Sequence, residues 1–166
     1  MASDLARTYL ETARSELREA LEKIRHCVDQ LTDEDVWWRP GEEMNSIGNI
    51  ILHLSGNLRQ WIVSGVGGAP DTRDRPAEFA ERRRIPKGEL LTKLTDTIAA
   101  CDAVLATCDE ANLLRVRAVQ RHEVTGLAAV FHAVGHLLGH TQETIYVTRM
   151  RLGEKYKFKG RGAAAH

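Results

Sequence analysis

The stretch that decides the fold is Phe131-His132-Ala133-Val134-Gly135-His136-Leu137-Leu138-Gly139-His140-Thr141-Gln142-Glu143. It holds three of the chain's seven histidines at four-residue spacing. On an α-helix each residue turns the chain by about 100°, so positions i and i+4 are neighbours on one face. His132, His136, His140 and Glu143 therefore form one stripe along one long helix, predicted over about Thr125–Arg151 with Gly153 as its C-terminal cap. Val130, Phe131, Val134, Leu137, Leu138, Ile145 and Val147 cover most of the remaining circumference. A helix apolar nearly all round is expected to be buried. A buried row of imidazoles and a carboxylate needs partners, and a metal ion is the leading one.

Working outward, three more helices follow from apolar recurrence at three- and four-residue spacing. Residues 2–30 carry Leu5, Leu10, Ala13, Leu17, Leu21, Ile24 and Val28, with Ser3 and Asp4 placed to cap the start. Residues 46–65 open on an Asn45/Ser46 cap, end at Gly65 and build a core face from Ile47, Ile50, Ile51, Leu54, Leu58 and Trp61. Residues 87–108 present Leu90, Leu94, Ile98, Cys101 and Leu105 on one side. Between the second and third of these, residues 66–87 have the glycine, proline and charge content of a long crossover, which would let successive helices run parallel. Arg82-Arg83-Arg84 within it read as solvated. Leu114–Gln120 alternates apolar and polar residues, as a short extended arm does, and His122 and Glu123 end it at the mouth of the last helix, where His122 reads as a surface residue. The expected fold is all-α: one domain over residues 1–166 forming a four-helix bundle.

The bulk numbers exclude several functions. With 23 basic and 23 acidic residues the formal net charge is zero, which argues against nucleic-acid binding through a broad basic footprint. Apolar residues make up 43% and charged ones 28%, ordinary for a globular domain. No apolar run approaches the ~18 residues of a membrane span, and residues 1–20 are too charged for a signal peptide. Cys27, Cys101 and Cys108 are odd in number and lack a paired spacing, in keeping with small buried thiols in the cytoplasm. The tail Gly160–His166 has the composition of a cloning remnant, so His166 is left out of any site.

His53 lies between Asn49 and Asn57 on a polar stripe of the second helix. Alone it reads as a satisfied core histidine. With His136 and His140 on another helix, it supplies a third nitrogen, and three neutral imidazoles leave a metal an open coordination position. Trp37 and Trp38 read either as a plug closing one end of the bundle or as the wall of a ligand pocket.

The run Asn45–Asn57, with Arg59-Gln60-Trp61 after it, resembles the second-helix motif of the DinB-like (damage-inducible) metal-binding superfamily. Val134–Thr141 is similar to that family's H-x-x-x-H-T motif, and Trp38-Arg39-Pro40 to its w-R-P loop. The resemblance implies an up-down-down-up bundle, often a homodimer, holding a divalent metal (zinc, nickel or iron) on His53, His136 and His140. Trp38, Arg39 and Asn57 are then expected to contact a bound cofactor or substrate. The chain departs from the family where H-T-G-Q is replaced by His140-Thr141-Gln142-Glu143, which puts a glutamate beside the metal. Glu143 could orient a ligand histidine, bind the metal or act as base, and His132 could move a proton or bond to substrate. By the same resemblance the function is a metal-dependent enzyme of thiol S-transferase, hydrolase or isomerase type, working with a small-molecule substrate or a low-molecular-weight thiol. The alternatives are a non-catalytic metal-binding or stress-response protein, and a bundle whose histidines are merely satisfied in the core.

Overall fold

Four long helices carry the structure, a computed structural model that describes residues 3–159. The tail Gly160–His166 lies outside the described residues. Helix α1 spans Asp4–Asp29, and Ser3 caps it by accepting from the Ala6 amide. A single turn, α2 (Asp33–Val36), follows with a capping box: Thr32 accepts from the Asp35 amide and the Asp35 carboxylate accepts from the Thr32 amide.

Helix α3 (Ile47–Leu58) starts at Ser46, whose hydroxyl oxygen accepts from the Asn49 amide. It continues without a break as a π-helical segment, Arg59–Ser64, in which the Gly65 amide bonds to the Gln60 carbonyl five residues back. Ile47, Ile50, Ile51, Leu54 and Leu58 are all essentially fully buried. Burial of such a side chain stabilises by roughly 1.5–3 kcal/mol.

The crossover that composition marks as loop contains a helix, α4 (Arg75–Ala80), capped by Asp74 with a proline in its first turn. Helix α5 spans Lys87–Ala106 and α6 spans Glu110–Leu114. The predicted extended arm is the first half of an antiparallel hairpin, β1 (Val116–Val119) paired with β2 (His122–Thr125), with Val119 opposite His122. Its partner strand was hidden in the sequence because His122-Glu123-Val124-Thr125 is too short to show alternation. Helix α7 (Gly126–Leu152) begins at a Thr125 cap and stops at Gly153, whose φ of +55° suits glycine. Arg82, Arg83 and Arg84 are exposed as expected.

Helices α1 and α3 each pack against both α5 and α7. One expectation fails here: α7 is not buried all round. Val130, Leu137 and Val147 face the core, but Phe131 is 71% exposed and Tyr146 65%. A helix held between two neighbours buries two flanks and leaves a third outside. On that outer face lie Leu127, Phe131, Gly135, Gly139, Tyr146 and Met150.

Candidate metal centre

Each histidine of the site is set by a helix register. His53 projects from α3 toward α7 because the Ile50/Ile51/Leu54 face turns the rest of that helix into the core. His136 and His140 project back from successive turns of α7, between the buried Ala133, Leu137 and Thr141. One nitrogen from each of the three lies within 4.8 Å of the others. His53 Nε2 and His136 Nε2 face each other at 3.1 Å. Four-coordinate zinc with bonds of ~2.0–2.1 Å holds its ligands about 3.4 Å apart, so small side-chain rotations close the cluster around such an ion.

The outward nitrogens fit that reading. His53 Nδ1 is 3.0 Å from Glu78 Oε2, and His140 Nδ1 is 2.5 Å from Glu143 Oε2. A carboxylate on Nδ1 fixes the tautomer that leaves Nε2 free to bind a metal. His136 Nδ1 is buried with no partner among the described residues. Burial, with His140 and His53 close by, pulls the His136 pKa down to about 4, so its ring is neutral and ready to bind at neutral pH.

Glu78 is the residue that sequence reading misses. It sits in the crossover on α4, only 8% exposed, with Arg73 clamped across it. Arg73 Nε donates to Oε1 at 2.8 Å and Nη2 to Oε2 at 2.9 Å, a bidentate pair. Burial alone would raise the Glu78 pKa, but hydrogen bonds from Arg73 and His53 bring it below the usual carboxylate value. Arg73 Nη2 also lies 3.1 Å from His53 Nδ1; two N–H groups cannot bond to each other, so in the tautomer with the proton on Nδ1 both donate to Glu78 Oε2.

The sequence prepares a place for this pair. A Cβ on Gly56 would sit 1.8 Å from Glu78 Oε1, so only glycine lets the carboxylate lie on the α3 backbone. Asn49 Nδ2 donates to the Glu78 carbonyl at 2.9 Å, and Arg39 Nη2 donates to Asn49 Oδ1 at 2.7 Å. The signal that could have exposed Glu78 is Gly56 itself, a glycine inside a helix next to the ligand histidine, where it costs about 1 kcal/mol against alanine.

The other expected residues divide. Asn57 is 4% exposed and lines a cavity of about 740 Å³ beside His53 and His136. His132 borders the same cavity with its ring against Trp61, centroids 4.1 Å apart, and burial together with His122 lowers its pKa. Glu143 touches His140, and that hydrogen bond lowers its pKa. Trp38 and Arg39 are not brought to this cavity. Trp38 packs on the core under the Arg151 guanidinium, while Arg39 braces Asn49. Trp37 is buried against Gly48, donates to the Ile85 carbonyl and borders a separate cavity with Arg39 and Arg82. A second cavity, about 360 Å³, lies on the far side of the crossover, shares Arg73 and Glu78, and contains none of the three histidines.

A family model described as a protein of unknown function, DUF1572, matches residues 4–160. No protein of curated function matches the chain. Among solved structures, a conserved protein from Enterococcus faecalis aligns with TM-score 0.75 at 19% identity, over 86% of this chain and 96% of that one. A DinB-like protein from Bacillus subtilis aligns with TM-score 0.66 at 14% identity, over 90% and 96%. A DinB-like protein from Bacillus cereus aligns with TM-score 0.67 at 15% identity, over 86% and 89%. At these identities the likeness is one of fold.

Proposed function

The chain belongs to the DUF1572 family and shares its fold with DinB-like proteins, and on that premise we propose that it is a divalent-metal-dependent enzyme. The observation that carries this is the convergence of His53, His136 and His140 within 4.8 Å at the edge of a cavity large enough for a small substrate. Three nitrogen ligands with space beside them leave a coordination position for substrate or water, whereas a structural site is closed. Zinc, nickel and iron all suit imidazole donors. A metal bound there would lower the pKa of a coordinated thiol or water and so supply a nucleophile at neutral pH.

The chain's own residues then divide the remaining work. Glu78 and Glu143 hold His53 and His140 in the tautomer that exposes Nε2. Glu143, the more exposed of the two carboxylates, is the better placed to accept a proton. Trp61 and His132 form the aromatic wall of the cavity. Transfer of a low-molecular-weight thiol to an electrophile and hydrolysis of a small substrate both fit this arrangement.

The arrangement of the four long helices supports an up-down-down-up bundle. Helices α1 and α3 share neighbours, and the connection from Gly65 to Pro86 is long enough to return the chain along the length of α3. A homodimer is supported by the outer face of α7. Gly135 and Gly139 have open space above them where a Cβ would stand, so nothing among the described residues calls for glycine there. Flanked by Phe131 and Tyr146, they suit close approach of a second copy, which light scattering at twice the chain mass checks. The unpaired Cys27, Cys101 and Cys108 support a reducing, cytoplasmic setting.

The test is metal titration with elemental analysis. Wild type is expected to bind one equivalent of zinc or nickel, and His53→Ala or His136→Ala to lose it. A wild-type protein that binds no metal beyond the level of these variants would overturn the reading. Activity is then sought on a panel of electrophiles with low-molecular-weight thiols.

A further inference from the structure

The cavity beside the three histidines has a chemical bias of its own, and we propose that it takes the anionic group, carboxylate or phosphate, of a small molecule. Two kinds of observation converge on this. The first is at its floor. Asn57 and Trp61 are each only 4% exposed, yet Asn57 Oδ1, Trp61 Nε1 and His136 Nδ1 are all buried without a hydrogen-bond partner among the described residues. All three residues line this one cavity. Buried polar atoms are nearly always satisfied, so three orphans on residues that line one space point to a bound group there. The indole Nε1 can only donate, and His136 Nδ1 donates too once Nε2 holds a metal. A group that satisfies these two donors must be rich in acceptors, whereas Asn57 Oδ1, itself an acceptor, calls for a hydroxyl or N–H elsewhere on the same molecule.

The second observation is at the mouth. Arg75 comes from α4 and Arg121 from the turn of the hairpin, and both line the cavity. Arg75 lies over the Phe79 ring, its guanidinium carbon 5.0 Å from the centroid, and neither arginine pairs with a carboxylate among the described residues. Arg73 is different, since its charge is already matched by Glu78. His122 adds a further donor, and Glu123 is the one acid in the lining. Two unmatched guanidiniums above two unmatched N–H donors form an anion site, because planar guanidinium binds carboxylate and phosphate oxygens in pairs.

This deepens the metal-enzyme reading and rests on it for the meaning of the cavity and for the His136 donor, but the Trp61 and arginine contacts that its test reads need no metal. The indole N–H resonance of Trp61, identified by its loss in Trp61→Phe, is followed by NMR in metal-free protein titrated with succinate, inorganic phosphate and neutral succinamide. A saturable shift with succinate or phosphate and none with succinamide is expected. The two anions separate a carboxylate from a phosphate group. In the double variant Arg75→Gln/Arg121→Gln, whose replaced side chains are exposed in wild type and whose fold is checked by its amide spectrum, the apparent Kd rises at least about tenfold. The inference is overturned if neither anion moves the resonance, if succinamide moves it equally, or if the double variant binds as wild type does. Zinc titration of the same samples reports on the histidines separately, so failure of one reading leaves the other legible.

Discussion

Two glutamates orient histidines of the same cluster, and they are installed in opposite ways. Glu143 stands three residues from His140 on the same helix, with 41% of its side chain exposed. Any helix through His140 brings it there. Glu78 reaches His53 from 25 residues away, 8% exposed, and needs a crossover, a clamp on Arg73 and a missing side chain at Gly56. The local arrangement costs the fold nothing and is screened by water. The distant one is stiffer, and removing any part of it leaves a buried charge behind. Orientation of a ligand and stability of the fold are thus separate properties at His140 and one property at His53.

The largest expected effect breaks that contrast directly. Glu78→Ala leaves the Arg73 side chain, 3% exposed, without its counter-charge, and should lower the unfolding free energy by about 3–5 kcal/mol. Glu143→Ala should change it by less than about 1 kcal/mol. Urea unfolding of both variants measures the difference, and equal losses would erase the distinction between the two carboxylates. Arg73→Met combined with Glu78→Met should recover much of the loss, since the charge is then removed in both partners.

Metal affinity sharpens the comparison at intermediate scale. Partners that orient ligands typically change affinity 10–100-fold. Glu78→Gln is expected near ~100-fold and Glu143→Gln near ~10-fold, because water can stand in for the exposed carboxylate but not for the buried one. Zinc titration calorimetry reads both values.

The smallest effect concerns His136, the one member of the three with no carboxylate on Nδ1. Its pKa is depressed to about 4 in the folded chain against an ordinary 6.5, so the folded state binds fewer protons than the unfolded one. The stability this gives the metal-free protein is full above pH 6.5 and is lost as pH falls toward 4. With solvent screening the loss is on the order of 1 kcal/mol, ~2–4 °C in Tm. His136→Gln should flatten that part of the profile, and an unchanged slope would assign it to other groups.

The same contrast explains what could be read from the chain alone. His53, His136, His140 and Glu143 were legible because helical periodicity puts them on computable faces. The four long helices were legible for the same reason, with bounds close to those observed. Glu78 was not, since the proline- and charge-rich crossover around it has no period and its partner is remote. The outer face of α7 was misread because Phe131 is apolar by type, and type alone does not tell a flank that meets α1 or α3 from one that meets no other element among the described residues. Trp38 and Arg39 carry a motif yet stand away from the cavity. Arg39 acts on it at one remove, through Asn49 and the crossover backbone.

The π-helical segment Arg59–Ser64 has a consequence for how this chain tolerates change in length. Such a segment holds one residue more than the α-helical path it replaces. A one-residue deletion there would return the stretch to ordinary helix and spare the fold upstream. Residues beyond the segment would keep their faces, because the extra residue is what the wider turn absorbs, while side chains inside it would shift by one position. A deletion ahead of Trp61 would take its ring off His132, whereas Gly65, beyond the segment, would stay against Val119 of the hairpin. The segment is therefore a counting device. In relatives of this chain, a gap of one residue at Arg59–Ser64 would mark proteins whose cavity has lost its aromatic wall, whatever histidines they keep.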